Sequence, residues 1–368
     1  MTHPYEALPE DRFWRTAVAD RDATEIAGLW KPKIDVRRKT RIVTAGSCFA
    51  QHFAKALVAR NYRWQDFEPG PSGLTAAQKH DYHYGTFSFR TGNIYTPRML
   101  RQWLTWALTA AKPLSEVWEL DGRFYDPFRP AVEPGGFATV NELYASRQDT
   151  LAAIRRGLKQ AQVFVFTLGL TESWHDAASG VEYAVCPGTL AGTFDPDRHV
   201  FMNHGLESLM SDMKAALKLL WRANGHLKVL LTVSPVPLTA TASGSHVLTA
   251  TVHSKSLLRA VAGTLAAGDP RVDYFPSYEI ITHPAYRGRF YAPNLRSVLP
   301  EGVDHVMASF FRDQATVFGG AAAPRKTAKP PTESAEEPAA LELTEAEELR
   351  CEEEILAAFA PKAQAAHV

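Results

Sequence analysis

Short apolar runs alternate along the chain with longer segments in which apolar positions recur every three or four residues. That is the pattern of buried parallel strands feeding amphipathic helices. Strands are predicted at residues 41–45, 163–168, 228–233 and 272–275, and helices at 49–60, 97–110, 141–160, 206–221, 247–266 and 303–318. Two stretches break the alternation. In residues 115–135, Asp121-Gly122 separates Val117-Trp118-Glu119-Leu120 from Arg123-Phe124-Tyr125, which predicts a β-hairpin around a two-residue turn. Residues 172–204 are rich in Gly, Pro, Asp and His and read as a lid or insertion between the third strand of the fold and its helix. The fold class is α/β: a parallel sheet between two helical layers, with a small β-hairpin insertion.

Past residue 318 the pattern stops. Residues 319–340 are Ala-, Pro-, Glu- and Lys-rich with almost no large apolar side chain, too little to offset the entropy of ordering them, so they read as a disordered linker. Thr344-Glu345-Ala346-Glu347 then forms a capping-box pattern leading into Leu349, Ile355, Leu356 and Phe359 at helical spacing. A short terminal helix is expected there, either exposed on the tail or docking a protein partner. The organisation read from sequence is an extension over 1–37, a body over 38–318 and an acidic tail over 319–368.

Charge narrows the function classes. Forty Lys+Arg balance forty Asp+Glu, so the broad positive field of a nucleic-acid binder is missing. The balance is uneven, because residues 319–368 hold ten Glu against five basic residues, leaving the body at +5 and the tail at −5. No apolar stretch is long enough for a membrane span, and the polar, acidic start does not resemble a secretory signal. Cys48, Cys186 and Cys351 are odd in number and far apart, which predicts a reducing, cytoplasmic setting. No spacing resembles a zinc site, and His80 and His83 lack a third ligand, so neither metal nor cofactor is expected.

In an open parallel sheet, ligands bind beyond the carboxyl ends of the strands. Those positions hold Gly46-Ser47-Cys48-Phe49-Ala50, Gly169-Leu170-Thr171-Glu172 and Ser234-Pro235-Val236-Pro237. A glycine before Ser47 permits a tight strand-to-helix turn. Ser47 then reads in two ways, as the cap of the following helix or as a nucleophile set at its positive end. The Cys48 thiol is a second candidate nucleophile.

The stretch 46–50 with Gln51 resembles the eponymous motif of the GSCFA family, a group similar to the SGNH or GDSL-type hydrolases. Further matching stretches are Phe89-Arg90-Thr91-Gly92-Asn93-Ile94-Tyr95-Thr96, Thr167-Leu168-Gly169-Leu170-Thr171-Glu172, Thr232-Val233-Ser234-Pro235-Val236-Pro237, Ser254-Lys255 and Tyr274-Phe275-Pro276-Ser277-Tyr278-Glu279-Ile280. The resemblance runs from about residue 38 to residue 318. It implies a three-layer, flavodoxin-like fold with a five-stranded parallel sheet and Ser47 as nucleophile. It also implies an oxyanion hole built from the serine's own amide, Gly92 with Asn93, and Gly169 with Thr171 or Glu172.

The sequence departs from the family pattern at two points. Glu172 stands where an Asn amide usually donates, so Thr171 or backbone amides must serve instead. The usual Asp-x-x-His aligns with Asn294-Leu295-Arg296-Ser297, which has neither Asp nor His. A serine needs a base. The candidates are His246 and His305, the latter beside Asp304, followed by His283. Arg90, Arg98, Arg287, Arg289 and Arg296 are candidates to line a cleft for an anionic or glycan-like substrate. The expected function is a serine-dependent ester hydrolase or O-acyltransferase acting on a small-molecule or glycan ester. The alternative is a catalytically degenerate carbohydrate-binding or scaffold protein.

Overall fold

The computed structural model describes residues 3–319 and 352–360. Among these, the strands are β1 (Ile42–Gly46), β2 (Trp118–Leu120), β3 (Arg123–Tyr125), β4 (Val163–Leu168), β5 (Glu172–Asp176), β6 (His199–Asn203), β7 (Lys228–Val233) and β8 (Val272–Tyr274). The α-helices are α1 (Phe49–Ala59), α2 (Ala76–Asp81), α3 (Pro97–Leu108), α4 (Val140–Gln160), α5 (Leu206–Ala223), α6 (Val247–Gly268), α7 (Ser277–Thr282) and α8 (Pro300–Phe318).

Four strands pair in parallel in the order β1-β4-β7-β8. Their side chains are buried on both faces, as the continuous apolar runs require. Ile42, Val163, Val165 and Leu230 point into a cluster with Phe53, Phe275, Ile280 and Phe310, beneath α1, α7 and α8. Val43, Phe164, Phe166, Val229 and Leu231 point the other way, onto Trp103, Leu151, Leu217 and Leu258 of α3 to α6. The three-layer α/β/α expectation holds.

The sheet has four strands among the described residues, where the family resemblance implied five. On the open edge of β1, the chain after α1 makes a single parallel bridge, Ile42 to Trp64, through Ile42 N–H to Arg63 O and Gln65 N–H to Ile42 O. The ladder goes no further: Thr44 N–H donates to Ser88 Oγ and Ser88 N–H to Thr44 O, and Gly46 O accepts from Ile94 N–H.

The β2–β3 hairpin turns at Asp121-Gly122 as predicted. Residues 172–204 contain a second antiparallel pair, β5 with β6. The sequence missed it because neither strand alternates cleanly. The extension is built into the body: Trp30 stacks on Phe310 at 5.2 Å, and Ile34 and Val36 are buried. A buried ion-pair group ties the hairpin to the site. Asp126 accepts from Arg129 at 2.9 Å and from Arg147 at 2.8 Å, and Arg129 also donates to Arg90 O at 3.1 Å, holding the strand-like segment that carries Gly92.

The predicted linker and the Thr344 capping box lie outside the described residues. Glu352–Phe359 is helical, of the tighter 3₁₀ type, and lies against the body. Among the described residues no helix is long and apolar enough to cross a membrane.

Candidate functional site

The site begins at the corner after β1. Gly46 has φ +134°, and a Cβ there would fall 2.5 Å from Thr167 O, so only glycine lets β1 run this close to β4. The corner delivers Ser47 with its Cβ under Gly169. Ser47 does not cap α1: the cap position is Cys48, which makes no side-chain cap bond. The Ser47 hydroxyl is buried, 1 % exposed, and has no hydrogen-bond partner among the described residues. A buried unpaired hydroxyl costs about 1–3 kcal/mol, which asks for a reason beyond packing. Cys48 belongs to the apolar cluster under α1.

The donors beside this corner come from one loop. Ile94 N–H donates to Gly46 O at 2.8 Å, which binds the loop to the serine's strand. Asn93 N–H donates at 3.2 Å to one carboxyl oxygen of Glu352, the Asn93 side-chain amide donates to the other, and the Tyr95 hydroxyl also reaches that second oxygen at 3.1 Å. Gly92, at φ +67°, leaves the space: a Cβ there would sit 2.8 Å from the Glu352 carboxyl. The tail therefore brings a buried carboxyl group onto the donors that the sequence assigned to Gly92 and Asn93. Glu352 was not singled out by sequence reasoning. Tyr95 lies within the Phe89–Thr96 stretch that carried the resemblance, whereas nothing in the sequence links residue 352 to residue 93.

The other expected donors point elsewhere. Ser47 N–H donates to Thr167 O at 3.0 Å, and Gly169 and Leu170 N–H both donate to Tyr95 O, at 2.9 and 3.1 Å. Thr171 gives its N–H to Ser254 Oγ at 3.1 Å and its hydroxyl to Asn203 Oδ1 at 2.8 Å. These groups fix the shape of the site through internal bonds. Glu172 accepts from the Thr241 hydroxyl at 2.7 Å, and burial raises its pKa.

The histidines are not brought to Ser47 by any hydrogen bond among the described residues. His246 is exposed, and its Nδ1 caps α6 by accepting from Leu248 N–H at 3.2 Å. His305 stacks on Phe290 at 5.1 Å, its pKa lowered by burial, while the adjacent Asp304 is exposed. His283 accepts from Ala285 N–H at 3.1 Å. Asn294 and Ser297 keep a tight turn, with Ser297 N–H on Asn294 Oδ1 at 2.9 Å and Asn294 Nδ2 on Ser297 Oγ at 3.0 Å, but neither residue titrates.

One titratable side chain does reach the corner. Lys255 of α6 is buried, and its Nζ donates to Gly169 O at 2.7 Å, one residue contact from Ser47. The Ser254-Lys255 pair was visible in the sequence as a matching stretch, but no pattern there gives it a role. The candidate arginines are engaged separately: Arg90 pairs with Glu133 at 2.9 Å, Arg289 with Glu301 at 2.8 Å and Arg296 with Glu354 at 2.9 Å, and Arg98 donates to Gly180 O at 2.8 Å.

Beyond Tyr95 a cavity of about 520 Å³ opens, walled by Met99, Leu170, Trp174, Val185, Leu238 and the polar groups of Glu172, Ser173 and Glu182. Leu356 and Phe359 of the tail also line it. The class these features define is a three-layer α/β protein with a buried serine at its first strand–helix corner. The profile of the GSCFA family matches residues 41–310, and the chain belongs to that family. No curated protein matches it.

Proposed function

We propose that the corner after β1, beside this cavity, performs acyl transfer from an oxygen ester, with Ser47 as nucleophile. What supports the reading is the loop 92–95, whose three donors hold a carboxyl group and which Ile94 N–H ties to Gly46 O, one residue before the unpaired Ser47 hydroxyl. A carboxyl group is the product of ester hydrolysis, so Glu352 stands in for the acyl end of a substrate. Ser47 Oγ attacks the carbonyl carbon and its proton passes to the Lys255 amine, since lysine acts as a base in its neutral form. The Asn93 amide and the Tyr95 hydroxyl, which share one Glu352 oxygen, stabilise the oxyanion, each such donor being worth about 10²–10³ in rate, and Asn93 N–H holds the other oxygen. The ester C–O bond breaks, the proton goes to the departing alkoxide, and water or an acceptor hydroxyl then releases the acyl group. The apolar walls suit the acyl portion of a small-molecule or glycan ester. Cys186 keeps a free thiol, in keeping with a reducing, cytoplasmic compartment.

Hydrolysis of 4-nitrophenyl esters of increasing chain length tests this. Ser47→Ala abolishes turnover and Cys48→Ala keeps most of it; the reverse outcome transfers the role to the thiol. A second reading, a binding module similar to SGNH-type proteins but without their chemistry, is favoured by Asn294 and Ser297 where the family resemblance leads one to expect Asp and His. It predicts no turnover in any variant, together with saturable binding of the acyl carboxylate.

A further inference from the structure

The β5–β6 pair carries a second polar cluster that the acyl-transfer reading does not use. Ser173 and His175 alternate on one face of β5, Glu182 follows the turn after β5 and bridges back to His175, and His204 leaves β6 with its N–H on Thr171 O at 2.8 Å. All of these functional groups converge. Ser173 Oγ lies 2.7 Å from His175 Nε2 and 3.1 Å from His204 Nε2. One Glu182 carboxyl oxygen, Oε2, lies 3.8 Å from His204 Nε2 and 4.0 Å from His175 Nε2.

That oxygen is the telling atom. Glu182 is fully buried, and Oε2 has no hydrogen-bond partner among the described residues, while its other oxygen accepts from Thr96 at 2.5 Å. An orphaned buried carboxyl oxygen facing two imidazole nitrogens is costly unless something sits between them.

We propose that His175, Glu182 and His204 bind a divalent transition-metal ion of the zinc type, with the Ser173 hydroxyl at the fourth position. Two imidazoles and one carboxylate are a recurrent zinc set, and this donor mixture also suits cobalt but not magnesium or calcium. Ligand atoms on a tetrahedral ion at zinc–nitrogen and zinc–oxygen lengths are about 3.3–3.5 Å apart. The two Glu182–histidine separations would close by about half an ångström and the two Ser173–histidine separations would open by a similar amount, within the reach of side-chain torsions. Ser208 Oγ stands 3.4 Å from His204 Nδ1, placed to fix that ring from behind.

The surroundings set limits. Burial lowers His175 and His204 to about 4 and raises Glu182 to about 8, so in the metal-free protein the cluster is close to neutral. Arg98 faces all three groups and opposes a cation, and beyond it Arg101 pairs with Asp212 at 3.0 Å. Ser173 and Glu182 also line the 520 Å³ cavity, so a bound ion would be open to whatever enters it. The proposal does not depend on Ser47 being a nucleophile.

The test uses the full-length, tag-free chain, stripped with a chelator and titrated with zinc, with cobalt, and with magnesium as the negative control. One equivalent of zinc is expected to bind, raising the unfolding temperature. Cobalt should give the intense visible absorption of a four-coordinate site, displaced by zinc. Glu182→Gln, nearly isosteric and neutral, should keep the unfolding temperature of the metal-free protein and weaken zinc at least about tenfold, as loss of one ligand demands. His175→Ala with His204→Ala should remove the cobalt spectrum. No saturable zinc binding below about 0.1 mM in the wild type, or binding unchanged in Glu182→Gln and in the double variant, overturns the proposal. The cluster is then a hydrogen-bonded network of neutral groups bridged by Ser173.

Discussion

Replacing Glu352 by alanine removes the shared acceptor of Asn93 N–H, the Asn93 amide and the Tyr95 hydroxyl. A buried hydrogen bond contributes about 1 kcal/mol net, so the three together hold the tail with about 3 kcal/mol. At about 1.4 kcal/mol per decade, that is roughly a 150-fold shift in the equilibrium between the covered and uncovered site. The apolar contacts of Leu356 and Phe359 remain, so the tail still docks, more weakly. The assay is the second-order rate at which a fluorophosphonate labels the full-length protein. With access to Ser47 gated by the tail, Glu352→Ala should label between about 10 and 1000 times faster than wild type, the range set by about 0.5–1.5 kcal/mol per bond. Glu354→Ala is the control. It breaks only the half-exposed pair with Arg296, worth about 0–1 kcal/mol, and should change the rate less than about fivefold. Equal rates in wild type and Glu352→Ala would refute the claim that this carboxyl group covers the site.

Other consequences are open to measurement. Lys255→Met should lower ester turnover at neutral pH by about 10²–10⁴, the usual worth of a positioned base, with the loss in kcat rather than KM. Gly46→Ala would force a Cβ against Thr167 O at a positive φ and should leave the protein insoluble or severely destabilised, as measured by its soluble yield and unfolding midpoint. Asp126→Asn strands the buried Arg129 and Arg147 and should cost about 3–5 kcal/mol in denaturant unfolding. His52 supplies a pH test. Burial holds it near 3, below its ordinary 6.5, so the unfolded chain takes up a proton that the folded one refuses as pH falls below 6.5. Stability is therefore fully present above pH 6.5 and is lost towards pH 3, by about 2 kcal/mol at pH 5, and His52→Gln should flatten that part of the stability curve.

The sequence carried the framework better than the chemistry, for identifiable reasons. The strands at 163–168 and 228–233 were read with their observed bounds because both faces are buried and the run is unbroken. The helix after β1 was found because its apolar spacing is regular and the glycine before Ser47 marks the turn. The fifth strand implied by the resemblance is absent among the described residues, because Ser88 takes the Thr44 N–H where the single Ile42–Trp64 bridge would have continued. At the site, Ser47, Gly92 and Asn93 could be singled out as candidates because they sit in short local motifs. The donor status of Gly169 and Thr171 was not, since it depends on Tyr95 O, Ser254 and Asn203, which are distant in sequence. The surroundings of the candidate histidines were hidden for a similar reason: helix capping by His246 and ring stacking by His305 are tertiary facts that the order of residues does not announce. The triad of His175, Glu182 and His204 is likewise assembled by the β5–β6 register, not by a motif.

Peptide mapping of the fluorophosphonate adduct by mass spectrometry reaches the central claim most directly. The account predicts a single phosphonylated residue, Ser47, in both wild type and Glu352→Ala, and no adduct in Ser47→Ala. A protein that stays unlabelled even with Glu352 replaced, or an adduct on another residue that survives Ser47→Ala, would contradict it.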